Sequence, residues 1–204
     1  CLMHILLELG CQFDLAHCNF KLRGDESNDD EKFVRKLASN YNIKLHCKSF
    51  NTQDYAENKK ISTQMAAREL RYRWLNEILD KKKAKYIVMA HHQDDAVETF
   101  FINLIRGSGL LGLKSISPKQ DTVVRPLMSC TRIEIEKYLL VKKQDYKDDS
   151  SNQSLKYTRN KIRHKVLPLL KEINPSISKT IAKEIQILKE SNDVFSYEIE
   201  RQKK

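Results

Sequence analysis

Hydrophobic and polar positions change their period several times along this chain, and each change marks an element. The run from Leu2 to Leu9 is mostly apolar and stops at Gly10, a residue suited to ending a helix. Phe13 to Phe20 reads as a buried strand that leaves through the polar loop Leu22-Arg23-Gly24-Asp25. From Glu26 to Tyr41, the residues Phe33, Val34, Leu37 and Tyr41 recur at helical spacing. Ile43, Leu45 and Cys47 then alternate with polar neighbours, which predicts a second strand ending near Phe50. After a polar stretch, Met65, Leu70, Trp74 and Ile78 give the inner side of a helix from Ser62 to Asp80. Tyr86-Ile87-Val88-Met89-Ala90 is a short continuous apolar run, the pattern of a central parallel strand.

The strongest helical phase follows. Val97, Phe100, Phe101, Leu104 and Ile105 fall at i, i+3, i+4, i+7 and i+8 within Gln93 to Arg106. Arg106 to Gly112 is a glycine-rich loop, Thr122 to Leu127 a last short strand, and Thr131 to Val141 another helix. Beyond the polar segment Asp148 to Asn152 comes a basic helix from Tyr157 to Leu170. Asn174 and Pro175 have the residue types of an N-cap and first position for a final helix striped with Ile177, Ile181, Ile185 and Leu188. Strands alternating with helices predict an α/β fold with a parallel, doubly wound sheet and flanking helices, followed by a helical C-terminal portion. The expected division is an α/β domain over 1–145 and a helical extension over 146–204.

Composition narrows the class. The 204 residues suit one domain or one with a satellite, and only 5 glycines and 4 prolines argue against a loop-rich or all-β fold. A net charge of +10 favours a polyanionic partner, although many lysines sit where a solvated helix end would tolerate them. The five cysteines, at 1, 11, 18, 47 and 130, form no CxxC pair and no zinc spacing, so they are expected to be reduced small hydrophobes. No apolar run approaches membrane-spanning length and no signal peptide is legible, which points to the cytoplasm.

Two segments carry candidate chemistry. In His91-His92-Gln93-Asp94-Asp95-Ala96-Val97-Glu98, a predicted strand end passes into a helix, the place where open α/β sheets bind ligands. Asp94 lies four residues before Glu98 and Asp95 three before it, so the carboxylates can share a face near the helix start. That end favours the charged carboxylate, which suits Asp94 and Asp95 to hold Mg²⁺ against phosphates. The same residues could merely cap the helix, and the histidines could be satisfied strand-end groups. In the second segment, Lys156 to Lys165, Arg159 and Arg163 align at i and i+4 while Ile162, Val166 and Leu169 face inward. A planar guanidinium fork suits a phosphate or carboxylate, although a basic run can equally be a solvated face. Arg68 and Arg106 are weaker pointers, and the glycines after Arg106 read more readily as a helix stop and turn than as a phosphate cradle.

Taken in order, Ala16 to Gly24, Ala66 to Trp74 (AARELRYRW), His91 to Leu113, Arg125-Pro126-Leu127 and Asp148 to Leu170 resemble the N-terminal domain of the tRNA(Ile)-lysidine synthetase family of PP-loop ATP pyrophosphatases. The resemblance implies an adenine nucleotide alpha hydrolase-like fold and a ligase that adenylates C2 of the wobble cytidine of a tRNA(Ile) with a CAU anticodon. L-lysine then displaces AMP. ATP and Mg²⁺ are the implied cofactors, and tRNA(Ile) and L-lysine the implied partners, with a homodimer left open. The family pattern puts Asp94, Asp95 and Glu98 at the acidic motif near ATP, metal and base, with Arg159 and Arg163 as further catalytic candidates. It assigns His17, Arg68, His91, Arg106 and Asn160 to the nucleotide. The family's SGGxDS phosphate loop is not legible, which implies a chain that starts mid-domain, lacks its PP-loop and first strand, and is inactive. A related tRNA thiolase and a non-catalytic basic RNA-binding module are the alternatives.

Overall fold

The computed structural model describes every residue except Asp148, Ser150, Ser151, Gln153, Lys156 and Lys204. The polar segment before the basic helix, and the lysine that opens it, therefore lie partly outside the described residues. The chain divides into two compact units, Leu2–Ile87 and Val88–Lys204, the second of which takes in Cys1.

The first unit begins with helix α1 (Leu2–Glu8), ended by Gly10 with φ of 65°. Strands β1 (Leu15–Asn19) and β2 (Leu45–Ser49) pair in parallel, Leu15 opposite Leu45 and Asn19 opposite Ser49. The crossover between them is α2 (Asp25–Asn40), as a parallel pair requires. Buried Asn19 at the end of β1 is held by α2, its Nδ2 donating to Asn28 Oδ1 at 3.1 Å and to Glu31 Oε2 at 3.0 Å.

Helix α3 (Thr52–Lys59) occupies the stretch expected to be merely polar. It offers no apolar repeat to reveal it, yet Thr52 and Ala56 are buried, and Thr52 Oγ1 donates to the Phe20 carbonyl at 2.9 Å. Helix α4 (Thr63–Lys82) starts at Ser62, whose hydroxyl accepts from Met65 N–H. It buries Trp74 edge-on to Phe50, which stacks on Phe20.

The second unit is built on α5 (Gln93–Ile105), which follows the short strand β3 (Ile87–Val88). Met89 N–H donates to the Val124 carbonyl at 2.9 Å, within a sheet of order β3-β5-β4. Strand β5 (Val123–Val124) is antiparallel to β4 (Lys119–Gln120), the hairpin turning at Asp121 with φ of 51°. The expected strand to Leu127 ends early because Pro126 has no N–H to donate, and a 3₁₀ turn over Pro126–Ser129 replaces it. Between α5 and the hairpin, Gly107 (φ 65°) and Gly109 (φ 61°) stop one helix and lead into the short α6 (Gly109–Leu113), so this segment is a stop and turn.

Helix α7 (Arg132–Val141) carries a capping box, with Thr131 and Glu134 exchanging side-chain and backbone bonds. The expected basic helix runs as α8 (Thr158–Lys161), a π-helical turn over Ile162–Val166, and α9 (Leu167–Ile173). Helix α10 (Ile177–Gln202) starts two residues later than the Asn174-Pro175 pattern suggests. Asn174 Oδ1 instead accepts from Ser176 N–H at 2.9 Å, and Ser176 takes the cap position.

Around α5 the apolar phase is satisfied on two sides. Ala96 and Phe100 pack with Ile185, flanked by Ile181 and Leu188, so most of the α10 stripe is internal packing. Val97 packs with Ile162 and Leu167. No helix among the described residues is long and apolar enough to cross a membrane, and all five cysteines are free.

Ile162 is 1% exposed in that second cluster, so Ile162→Ala should destabilise the chain by about 2–4 kcal/mol through lost burial and a residual cavity. Urea unfolding of the variant measures this; a loss below about 1 kcal/mol would show that the seam is not a packed core.

Candidate functional site

Helix α5 presents its first turn to the site because His92 ends the preceding extended segment and caps the helix. Its backbone N–H donates to Asp95 Oδ2 at 3.0 Å. Asp94 Oδ2 accepts the Arg132 backbone N–H at 2.7 Å, which joins the starts of α5 and α7. The His92 ring lies between these carboxylates, Nδ1 3.5 Å from Asp94 and Nε2 3.6 Å from Asp95.

Burial alone would lower the His92 pKa. The carboxylates of Asp94, Asp95 and Glu98 outweigh it and raise the pKa above the ordinary 6.5. For Asp94, burial opposes ionisation, but His92 and the Arg132 N–H hold its pKa below the ordinary 3.8.

One turn further, Glu98 is 1% exposed. Arg163 reaches it with Nε to Oε1 at 2.6 Å and Nη2 to Oε2 at 3.2 Å, the two-pronged geometry that a guanidinium fork favours. Arg159 approaches the same carboxylate, Nε to Oε2 at 3.4 Å, and donates from Nη2 to Thr99 Oγ1 at 3.0 Å. Burial pushes the Glu98 carboxyl above its usual range, and Arg163 pulls it back toward the ionised form. Two guanidiniums face the one buried carboxylate, with Asp94 and Asp95 a turn earlier on α5. Arg163 lies in the π-helical turn, an irregularity that often occurs at functional sites.

Asp94, Asp95, Glu98, Arg159 and Arg163 are thus brought together within the second unit. His91 precedes the cluster, between the end of β3 and α5. Asn160 is buried, and its Nδ2 donates to the Ser154 carbonyl at 2.8 Å, so it fastens the entry to α8. Arg106 is exposed at the far end of α5 from Asp94, roughly 18 Å along the axis at 1.5 Å per residue, and is not gathered with the others. His17 and Arg68 belong to the first unit. His17 is half-buried on β1 with its pKa lowered by burial, and Arg68 lies over the Tyr72 ring at 5.0 Å on α4.

Thr99 and Arg132 were not singled out for these contacts by sequence reasoning. The Thr131-Arg132-Ile133-Glu134 capping pattern marks a helix start at Arg132, but nothing local shows which carboxylate its N–H would meet. No group of three or more His, Cys, Asp or Glu side chains among the described residues is arranged to hold a metal ion. Asp94 and Asp95 each use one carboxylate oxygen on a backbone N–H, from Arg132 and from His92, and carboxylate oxygens are the donor type that Mg²⁺ takes.

The PP-loop domain family, ATP_bind_3, matches residues 1–170. The tRNA(Ile)-lysidine synthase of Bacteroides thetaiotaomicron is 50% identical over 193 residues, covering 95% of this chain and 45% of that protein. Its counterpart in Porphyromonas gingivalis is 46% identical over 181 residues, covering 88% and 40%. That of Parabacteroides distasonis is 42% identical over 203 residues, covering 100% and 46%. The chain therefore spans less than half the length of these curated relatives.

Among solved structures, the U34-tRNA thiolase NcsA from Methanococcus maripaludis with its [4Fe-4S] cluster superposes with a TM-score of 0.72. At 18% identity over 92% of this chain and 68% of that one, it shares the fold alone. The family match corrects the expectation that the PP-loop is missing and the chain inert, because a PP-loop domain spans residues 1–170. That expectation rested on one short signature, whereas the family is carried by the order of elements and motifs along the whole domain.

The His92 and Asp94 shifts set a pH dependence. A raised His92 pKa contributes stability that is complete below 6.5 and fades as pH rises through the folded value. A lowered Asp94 pKa contributes stability that is complete above 3.8 and fades as pH falls through the folded value. His92→Asn should therefore cost most between these limits and progressively less above them. Thermal melts across pH check this; a deficit independent of pH would reduce His92 to a helix cap.

Proposed function

The chain belongs to the PP-loop domain family, and on that premise we propose that it is the ATP-using catalytic part of an enzyme that ligates lysine to C2 of the wobble cytidine of tRNA(Ile). The family match implies the use of ATP. The observation that carries the finer reading is the meeting of its two motifs on one buried carboxylate, Glu98, in a chain similar to tRNA(Ile)-lysidine synthases from several bacteria. The tRNA with a CAU anticodon, lysine, and the division into an ATP-binding part to residue 145 and a basic extension beyond it belong to the same proposal.

The chemistry requires two displacements. In the first, O2 of the cytidine attacks the α-phosphorus of ATP, an O–P bond forms, and the bond to pyrophosphate breaks. In the second, the neutral ε-amine of lysine attacks C2, and the C2–O bond breaks with its electron pair leaving on AMP. The amine proton passes to solvent.

Neither step needs a protein nucleophile; both need alignment and charge neutralisation. Mg²⁺ held by Asp94 and Asp95 would neutralise charge on the phosphates of ATP. Glu98 holds Arg163 in place, while Arg159 is less completely paired and retains donors for a phosphate oxygen. Its Nε has no hydrogen-bond partner among the described residues. His17, Arg68, His91, Arg106 and Asn160 remain nucleotide-side candidates by resemblance. The thiolase alternative is supported by fold alone.

Asp95→Ala in the full-length protein should lower tRNA-dependent release of pyrophosphate from ATP by at least about a hundredfold, the scale of a lost transition-state charge contact. A pyrophosphate-release assay beside a thermal melt measures it. Unchanged turnover would remove Asp95 from the mechanism.

A further inference from the structure

Arg159 and Arg163 lie four residues apart and approach the same stretch of α5, but different groups hold them there. Arg163 occupies both oxygens of Glu98. That leaves the carboxylate poorly placed for Arg159, whose Nε is 3.4 Å from Oε2 and, although buried, makes no hydrogen bond among the described residues. Arg159 is oriented instead by the next residue of α5. Its Nη2 donates to Thr99 Oγ1 at 3.0 Å, across 60 positions of sequence. Among the described residues this is the one hydrogen bond that the Arg159 side chain makes, while 42% of that side chain stays exposed.

A threonine hydroxyl inside a helix ordinarily turns back to a carbonyl of its own preceding turn. Donating its proton there leaves the oxygen lone pairs available, so Thr99 Oγ1 can accept from a guanidinium at the same time. Branching at Cβ restricts χ1 in a helix, which limits where Oγ1 can point before any ligand arrives. The acceptor is also neutral. A second carboxylate in this place would hold Arg159 but would offset the charge that a phosphate oxygen calls for. A hydroxyl fixes one prong of the planar fork and adds no negative charge.

We propose that Thr99 is a positioning residue for the adenylation step and acts through Arg159. Its hydroxyl holds the guanidinium so that the remaining donors already face the α-phosphate oxygen while the bond to O2 of the cytidine forms. Donors set in place beforehand stabilise developing charge without reorganising at the moment of reaction. The assignment rests on the role given to Arg159 above. It separates the two arginines by partner: Glu98 holds Arg163 through charge, and Thr99 aims Arg159 without it.

The test uses the full-length protein with Thr99→Val, which keeps the side-chain shape and removes the hydroxyl, and Thr99→Ser, which keeps the hydroxyl and removes the methyl. Thr99→Ala serves as a second variant without the hydroxyl, and thermal melts accompany each. At saturating ATP and tRNA, kcat for pyrophosphate release should fall at least about tenfold in Thr99→Val, the scale of one charge-assisted contact. Thr99→Ser should stay within about threefold of the unmodified protein. In an Arg159→Met background, Thr99→Val should cost less than about twofold more, because no guanidinium remains to be positioned. An unchanged kcat without the hydroxyl would overturn the assignment. So would an equal loss in Thr99→Ser, which would make the methyl responsible, or a tenfold loss that persists without Arg159. If Arg159→Met alone leaves pyrophosphate release intact, the role of Arg159 fails and this assignment with it. Failure of the unmodified full-length protein to release pyrophosphate with ATP and tRNA would instead refute the ligation reading.

Discussion

A carboxylate almost completely withdrawn from water has to find positive partners, and in this protein that requirement falls on Glu98. Burying an ionised carboxylate without them would cost several kcal/mol. The two guanidiniums that answer it come from a helix more than sixty positions later, Arg163 standing 65 residues away in sequence. Docking that helix against α5 is supported on the neighbouring face by Val97 against Ile162 and Leu167. The apolar seam supplies the burial and the ion pairs fix how the charged groups meet. The meeting of the two motifs on one carboxylate follows from the same placement.

The order of elements was largely legible because most of it is carried by local periodicity. The apolar phase of α5, the alternation through β2 and the Thr131–Glu134 box each appear within a single window of sequence. Helix α3 was hidden because it buries small or polar groups, Thr52 and Ala56, without an apolar stripe. The start of α10 was misplaced because Asn174 uses its carboxamide on Ser176 rather than capping the helix directly.

At the site, residue types and helix faces could be read, but pairings could not. Glu98 could be recognised as one of three carboxylates near a helix start. Its being the buried one, and the partner of both arginines, depends on contacts across more than half of the second unit. The same limit applies to the Arg132 N–H on Asp94. Reliance on one short phosphate-binding signature led to the expectation of an inert domain, which the match over residues 1–170 corrects. Domain membership is spread over many positions, so it survives the illegibility of any one of them.

The site separates its tasks by burial. Glu98 is 1% exposed and Arg163 20%, whereas Arg159, Arg132 and Glu136 are each about 40% exposed, at 42%, 40% and 39%. For the ligation proposed above, such a division would keep the central carboxylate and its arginine in register while leaving the outer charges accessible to ligand.

The claim on which this account depends is that Glu98 and Arg163 are energetically coupled rather than merely adjacent. A double-mutant cycle of Glu98→Gln and Arg163→Met, followed by denaturant unfolding, measures that coupling directly. The account predicts an interaction of about 2 kcal/mol, each single variant costing nearly as much as the pair together. Additive losses, with a coupling below about 0.5 kcal/mol, would contradict it.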